Sequence, residues 1–306
     1  MKLINCSTKK LEEFFEPNIP PYAILSHTWG DDEVTYEDFI HRISDRTTQK
    51  GWPKIEKTCL LASESNLQYC WVDTCCIDKA SSAVLTEEIN SMFKWYSSAR
   101  VCYVYLVDFD HLELKTLSTC RWFERGWTLQ ELIAASNVEF YDKNWVYFGT
   151  KLKLHQDISD ITGIDDDVLT WEDSVQHRLR LKPICKKMSW AAKRKTTRTE
   201  DIAYSLLGIF GVNMPLIYGE GGRKAFQRLQ EEIIKYSNDY TIFAWEGRGN
   251  WNFLAPGPSS FARGGRIQLT HHHFYEPEFQ LTNQGLRLNA RLRTPDCMPV
   301  LPRRPG

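Results

Sequence analysis

VCYVYLV, Val101 to Val107, is the stretch on which the fold turns. Its side chains are all apolar or aromatic and several are β-branched, so the run has no polar face to offer water. It therefore reads as a strand covered on both sides, the kind found inside a parallel sheet with helices above and below. On its N-terminal side Ile89, Met92, Phe93 and Tyr96 follow the i, i+3, i+4, i+7 spacing of a helix. Thr86 is the expected N-cap, with Glu87 and Glu88 in the first turn, where acids favour the helix dipole. Further back, YAILSH (Tyr22 to His27) and QYCWVD (Gln68 to Asp73) read as strands, and Trp52 to Asn66 reads as a helix between them. Lys2 to Asn5 is a short strand ahead of both.

On the C-terminal side, RWFERGWTLQELIAAS (Arg121 to Ser136) reads as one helix. At about 100° per residue, Trp122, Leu129 and Ile133 share one side, while Phe123, Trp127 and Glu131 share the other, with Trp127 and Glu131 in contact. Apolar residues on both sides predict burial on both sides. VEFY (Val138 to Tyr141) and WVYF (Trp145 to Phe148) follow as strands. Strands alternating with helix-sized connections imply βαβ units, so residues 1–150 are expected to form one doubly wound α/β domain.

Beyond it, residues 151–245 read as a mostly helical extension: Leu152 to Ile161, Trp171 to Leu181, Glu200 to Ile209, and a stripe of Phe226, Leu229 and Ile233. Lys186 to Arg198 reads as a helix with a solvated basic face, and TIFAW (Thr241 to Trp245) as strand-like. Residues 246–306 form a Gly/Pro-rich tail, partly strand or disordered.

Lys and Arg total 38 against 39 Asp and Glu, so nothing in the overall charge points to nucleic acid or an anionic membrane as partner. Nine cysteines, an odd number without a C-x-x-C pair, point to a reducing, cytoplasmic compartment. The most apolar run, Ala203 to Tyr218, is too short for a membrane span and contains Asn213 and Pro215. No bound metal is expected: His271, His272 and His273 have no partners at fixed spacing and read as exposed loop. Gly219-Glu220-Gly221-Gly222 reads as a helix-entry turn, since no phosphate-loop motif is present, and a G-x-S-x-G hydrolase motif is also missing.

Open parallel sheets bind ligands beyond the carboxyl ends of their strands. Here those ends deliver Ser26, His27, Thr28 and Trp29 from one strand, and Asp73, Thr74 and Asp78 from the next. Glu131 follows the third strand and can face the same crevice. Each also has a plainer reading: Ser26 and Thr28 as turn residues, His27 as a hydrogen-bonded histidine near the core, Asp73 as a cap, and Glu131 as a core-edge glutamate.

YAILSHTWG (Tyr22 to Gly30), WVDTCCID (Trp71 to Asp78) and RGWTLQEL (Arg125 to Leu132) resemble the three signature blocks of the fungal heterokaryon-incompatibility (HET) domain. Asp78 departs from the pattern, standing where glutamine is usual. The segment from Ser189 resembles the extension that commonly follows this domain. The resemblance implies a fungal source and a role in vegetative incompatibility and programmed cell death. HET domains are in turn similar to TIR domains, which implies a TIR/flavodoxin-like parallel sheet. Trp127 to Leu132 matches, apart from Thr128, the block whose glutamate is catalytic in NAD⁺-consuming TIR domains.

By that resemblance Glu131 is the expected catalytic residue of an NAD⁺ glycohydrolase. Ser26, His27, Trp29, Asp73 and Trp127 are expected to bind substrate, with NAD⁺ as substrate and no further cofactor. Self-association or a partner incompatibility protein is also implied. The alternative is a non-catalytic, self-associating signalling module in allorecognition.

Overall fold

The computed structural model describes residues 1–41, 46–112, 117–170, 175–247, 253–267, 279–282 and 285–288. Its main sheet contains β1 (Lys2–Asn5), β2 (Leu11–Glu13), β3 (Tyr22–His27), β4 (Tyr69–Trp71), β5 (Val101–Tyr105), β6 (Val138–Tyr141) and β7 (Tyr147–Thr150), in the spatial order β2-β1-β4-β3-β5-β6-β7. The four central strands, β4, β3, β5 and β6, are parallel; β1 on one side and β7 on the other run opposite to them, and the edge strand β2 pairs antiparallel with β1. Taken alone, the parallel strands have the flavodoxin-like order 2-1-3-4. Every residue of β3 and β5 is buried, so the centre of the sheet is covered on both faces, as VCYVYLV required. A separate hairpin pairs β8 (Phe279–Thr282) with β9 (Gly285–Leu288).

The helices of the first half are α1 (Tyr36–His41), α2 (Trp52–Glu64), α3 (Asp73–Cys76), α4 (Ser82–Ser98), α5 (Arg121–Glu124) and α6 (Thr128–Ala134). The second half is helical as expected: α7 (His155–Thr162), α8 (Asp166–Leu169), α9 (Val175–Arg180), α10 (Ile184–Ala191), α11 (Asp201–Tyr204), α12 (Leu207–Phe210) and α13 (Gly222–Tyr236). Among the described residues, no helix is long and apolar enough to cross a membrane.

Several local expectations are corrected. Helix α4 begins at Ser82 and is capped by Ser81, whose hydroxyl accepts from the Val84 amide at 3.4 Å. Thr86 lies inside the helix, its hydroxyl donating to the Ser82 carbonyl. The second strand ends at Trp71, and Asp73 opens α3. The last strand of the main sheet starts at Tyr147 because the Asp142 carboxylate turns the chain, accepting from the amides of Asn144 (2.8 Å) and Val146 (2.9 Å). Trp145 takes a left-handed φ of 60° in that turn. Tyr240–Phe243 is a 3-10 turn capped by Asp239 rather than a strand. The triple histidine, Cys297 and most of the last forty residues lie outside the described residues.

The largest correction concerns Arg121 to Ser136, which is two helices. Arg125 is extended (φ −75°, ψ 134°). The Gly126 amide donates to the Lys195 carbonyl at 2.8 Å, and the Lys195 amide donates to the Glu124 carbonyl at 2.6 Å. The backbone bonds that would have carried the helix onward thus go to a segment some seventy residues later. Gly126 permits this approach, because a Cβ there would lie 2.5 Å from Thr196 Cγ2. The basic stretch that supplies this segment is correspondingly only half helix. It leaves α10 at Ala191, and its Lys187 and Arg194 are buried rather than solvated.

Helix α12 packs on α4 where Gly208 meets Phe93, and a Cβ at residue 208 would lie 2.1 Å from Phe93 Cβ. Gly208→Ala is expected to destabilise the fold by about 1–3 kcal/mol through overpacking, read as a lower denaturation midpoint with an unchanged slope.

Candidate functional site: a cationic, aromatic cleft

The carboxyl edge of the sheet carries a cleft of about 230 Å³, lined among others by Trp29, Asp73, Lys79, Arg125, Trp127 and Arg198. Trp29 follows β3, Asp73 starts α3, and Arg125 and Trp127 flank the break between α5 and α6. Arg198 and Asp201 come from the segment that pairs with that break. The interrupted helix is what aims Arg125 into the cleft.

Asp73 organises one wall. His27 Nε2 lies 3.1 Å from Asp73 Oδ1, and the Trp29 indole N–H donates to Oδ2 at 2.8 Å. On the other side of the imidazole, Lys54 Nζ lies 3.2 Å from His27 Nδ1. An ammonium has only donors, so Nδ1 accepts and Nε2–H donates to Asp73. Burial opposes the ionisation of Asp73, but the His27 contact and the charges of Lys79 and Arg125 outweigh it and hold the carboxyl well below the usual carboxylate range. Lys79 Nζ sits 3.6 Å from the centre of the Trp29 ring and the Arg125 guanidinium 5.0 Å from it, both as cation–π contacts.

The opposite wall is built by the helical extension. The Trp127 indole donates to Asp201 Oδ2 at 3.2 Å, the Tyr218 hydroxyl donates to Oδ1 at 3.0 Å, and Arg198 covers the Tyr218 ring at 4.2 Å. The Trp127 indole is thereby directed at Asp201.

Behind the cleft lies a second, buried layer. The Ser26 hydroxyl donates to Glu131 Oε2 and accepts from the Trp122 indole at 2.9 Å. A continuous helix would have put Trp122 and Glu131 on opposite sides; the break at Arg125 brings both to one serine. Burial, and then the nearby Asp73 charge, push the Glu131 carboxyl up to about 7. Glu131 is only 4% exposed, and neither it, Ser26 nor His27 belongs to the cleft lining.

The six residues expected from sequence thus divide into two groups: Trp29, Asp73 and Trp127 on the wall, with Ser26, His27 and Glu131 behind it. Sequence reasoning missed Lys79, Arg125, Arg198, Asp201 and Tyr218. Arg125 could have been found, since it sits inside the RGW block; the others arrive only through tertiary packing. The Gly219–Gly222 turn is the helix entry expected of it. Its Gly219 and Gly221 amides, at 2.9 and 3.1 Å, are taken by the Glu200 carboxylate. An internal acid occupies the place an anion would take.

An α/β protein with a cationic, aromatic cleft at its sheet edge is the class these features define. Residues 22–116 match the model of the family described as heterokaryon incompatibility protein (HET). The chain belongs to the HET-domain family. It is 45% identical over 228 residues to the vegetative incompatibility protein HET-E-1 of Podospora anserina, a match covering 71% of this chain and 16% of that protein. The chain thus corresponds to a small part of that relative's length. No solved structure matches it.

Proposed function

We propose that this chain is a vegetative-incompatibility and cell-death effector that binds NAD⁺ in the cleft and cleaves its nicotinamide–ribose bond. One observation carries the reading: flat aromatic rings and cations converge beside the Asp73 carboxylate on the wall, with the Glu131 carboxyl buried behind it. Trp29 and Trp127 suit a planar base; Lys79, Arg125 and Arg198 suit a pyrophosphate. A volume of about 230 Å³ is smaller than a pocket enclosing a whole drug-sized ligand, so the cleft would seat one end of the dinucleotide.

Departure of nicotinamide leaves an oxocarbenium-like ribosyl cation, which a carboxylate stabilises electrostatically. Nicotinamide is already a cationic leaving group and needs no proton. Glu131 is the carboxylate proposed for this role. A cationic ring brought near would favour its ionised form, and release from Ser26 would let it turn toward the cleft. Asp73 would hold Trp29 and the ribose. The likeness of the Trp127–Leu132 block to NAD⁺-consuming TIR domains supports the same assignment.

Incubating the purified chain with NAD⁺ and measuring free nicotinamide tests the proposal, and absence of turnover at any protein concentration sinks it. Trp29→Ala is expected to weaken nucleotide binding about 10–100-fold through lost stacking, checked by titration of NAD⁺ calorimetrically.

The burial of Glu131 favours a second reading, in which the chain is a self-associating module acting through a partner incompatibility protein without catalysis. Cell killing by overexpressed Glu131→Gln chain, with self-association intact, would establish that reading over the first.

A further inference from the structure

We propose that Cys6, Cys59 and Cys70 form a binding site for a thiophilic divalent cation such as Zn²⁺, remote from the cleft in role and composition. Cys6 follows β1, Cys59 lies on α2 and Cys70 on β4; all three are buried, and their sulfurs lie within 4.8 Å of one another. Cys59 and Cys70 Sγ are 3.6 Å apart. Zn–S bonds of about 2.3 Å in tetrahedral geometry place sulfurs about 3.8 Å apart, so the Cys59–Cys70 edge of 3.6 Å is already close to that spacing and Cys6 lies within 4.8 Å of both.

Three separate segments, the turn after β1, α2 and β4, bring three thiols to one point, which packing of small apolar side chains alone does not require. The turn after β1 adds a second feature. Lys9 adopts a left-handed φ of 54°, uncommon for a residue with a long side chain. That turn folds its ammonium back onto the Cys6 carbonyl. The Arg46 guanidinium, itself buried, fixes the turn by donating to the Lys9 carbonyl at 3.1 Å.

Charge decides the kind of ion. Three thiolates carry three negative charges, and a divalent ion with Lys9 restores neutrality in a buried setting where uncompensated charge is costly. A monovalent soft ion would leave the site negative. Binding releases the three thiol protons to solvent, and no electron transfer is involved.

The test uses the whole chain, reduced and freed of metal by chelation. Titration with Cd²⁺ is expected to raise a thiolate-to-cadmium charge-transfer absorbance that saturates at one equivalent. Zn²⁺ is expected to displace the cadmium and raise the melting temperature. Cys59→Ser is expected to abolish the absorbance. Lys9→Met, which leaves all three sulfurs in place and guards against a misfolded cysteine variant, is expected to weaken binding about tenfold, the scale on which groups around a metal's ligands act. Absence of a saturable one-equivalent signal in the folded parent chain overturns the proposal. So does a saturable signal that survives Cys59→Ser, or a Cys59–Cys70 disulfide that persists in chain isolated under reducing conditions.

Discussion

Glu131→Gln is expected to lower NAD⁺ cleavage roughly 10²–10³-fold, the scale of losing one group that stabilises transition-state charge, while the chain stays folded. The substitution is nearly isosteric, and the amide oxygen still accepts from Ser26, so the buried layer of Ser26, Trp122 and residue 131 keeps its packing. What disappears is the negative charge. The residue's titration gives an independent readout. Its folded-state value of about 7 is raised above the ordinary glutamate value of 4.5 by burial and by Asp73. A carboxyl raised on folding contributes its full stability below about pH 4.5, and that contribution is lost as pH rises through about 7.

The parent chain should therefore lose of order 3 kcal/mol across that window, and Glu131→Gln should not. Above pH 7 the variant should be the more stable protein and the poorer catalyst. Denaturant midpoints at pH 5 and pH 8 check the first statement; nicotinamide release checks the second. The parent's kcat/KM should rise with pH up to about 7 and then level, because the ionised carboxylate is the active form. A variant that is less stable than the parent at pH 8 would assign Glu131 to structure alone.

Arg194→Met is expected to destabilise the protein by about 3–5 kcal/mol, the range for stripping one partner from a buried charged network. The guanidinium is buried and donates to three places at once: the carbonyls of Trp190 (3.3 Å) and Arg125 (2.8 Å), and the Thr128 hydroxyl (2.9 Å). Burial pushes it down to about 9, and the Glu131 charge acts in the opposite direction. Arg125 and Thr128 bracket the gap between α5 and α6, so Arg194 closes that gap with a charged clasp from the second half of the chain. Methionine fills the volume but removes the charged donor from all three acceptors, of which the Arg125 carbonyl keeps only the Thr128 hydroxyl. The expected result is a lower denaturation midpoint together with weaker nucleotide binding, since Arg125 loses its anchor. Loss of stability with full binding would show that the clasp supports the fold without shaping the cleft.

Much of the sheet was legible because period and polarity suffice for it. β3 and β6 lie where their apolar runs placed them, and burial of every residue in β5 follows from a run without a polar face. Polar residues expected at the strand ends are indeed gathered there, with Ser26 bonded to Glu131 and His27 and Trp29 bonded to Asp73. How the sides of the residues before Glu124 relate to those after Trp127 was not legible. Helical phase can be counted forward only while the hydrogen bonds stay inside the helix, and Gly126 gives its bond to Lys195. The basic stretch misled for a related reason: charge alone reads as solvation, whereas Lys187 and Arg194 are buried by contacts with distant residues.

By itself, the sequence determined the α/β alternation, the family blocks and the cluster of candidate residues at one sheet edge. These depend on local periodicity and on residues a few positions apart. Only the tertiary structure decided that the cleft has two walls from two halves of the chain, and that Glu131 lies behind the lining beside Ser26 and Trp122. Only it brought Cys6, Cys59 and Cys70 to one point. The physical reason is common to all three: each depends on backbone bonds and buried contacts between residues far apart in sequence, for which no local pattern carries a signal.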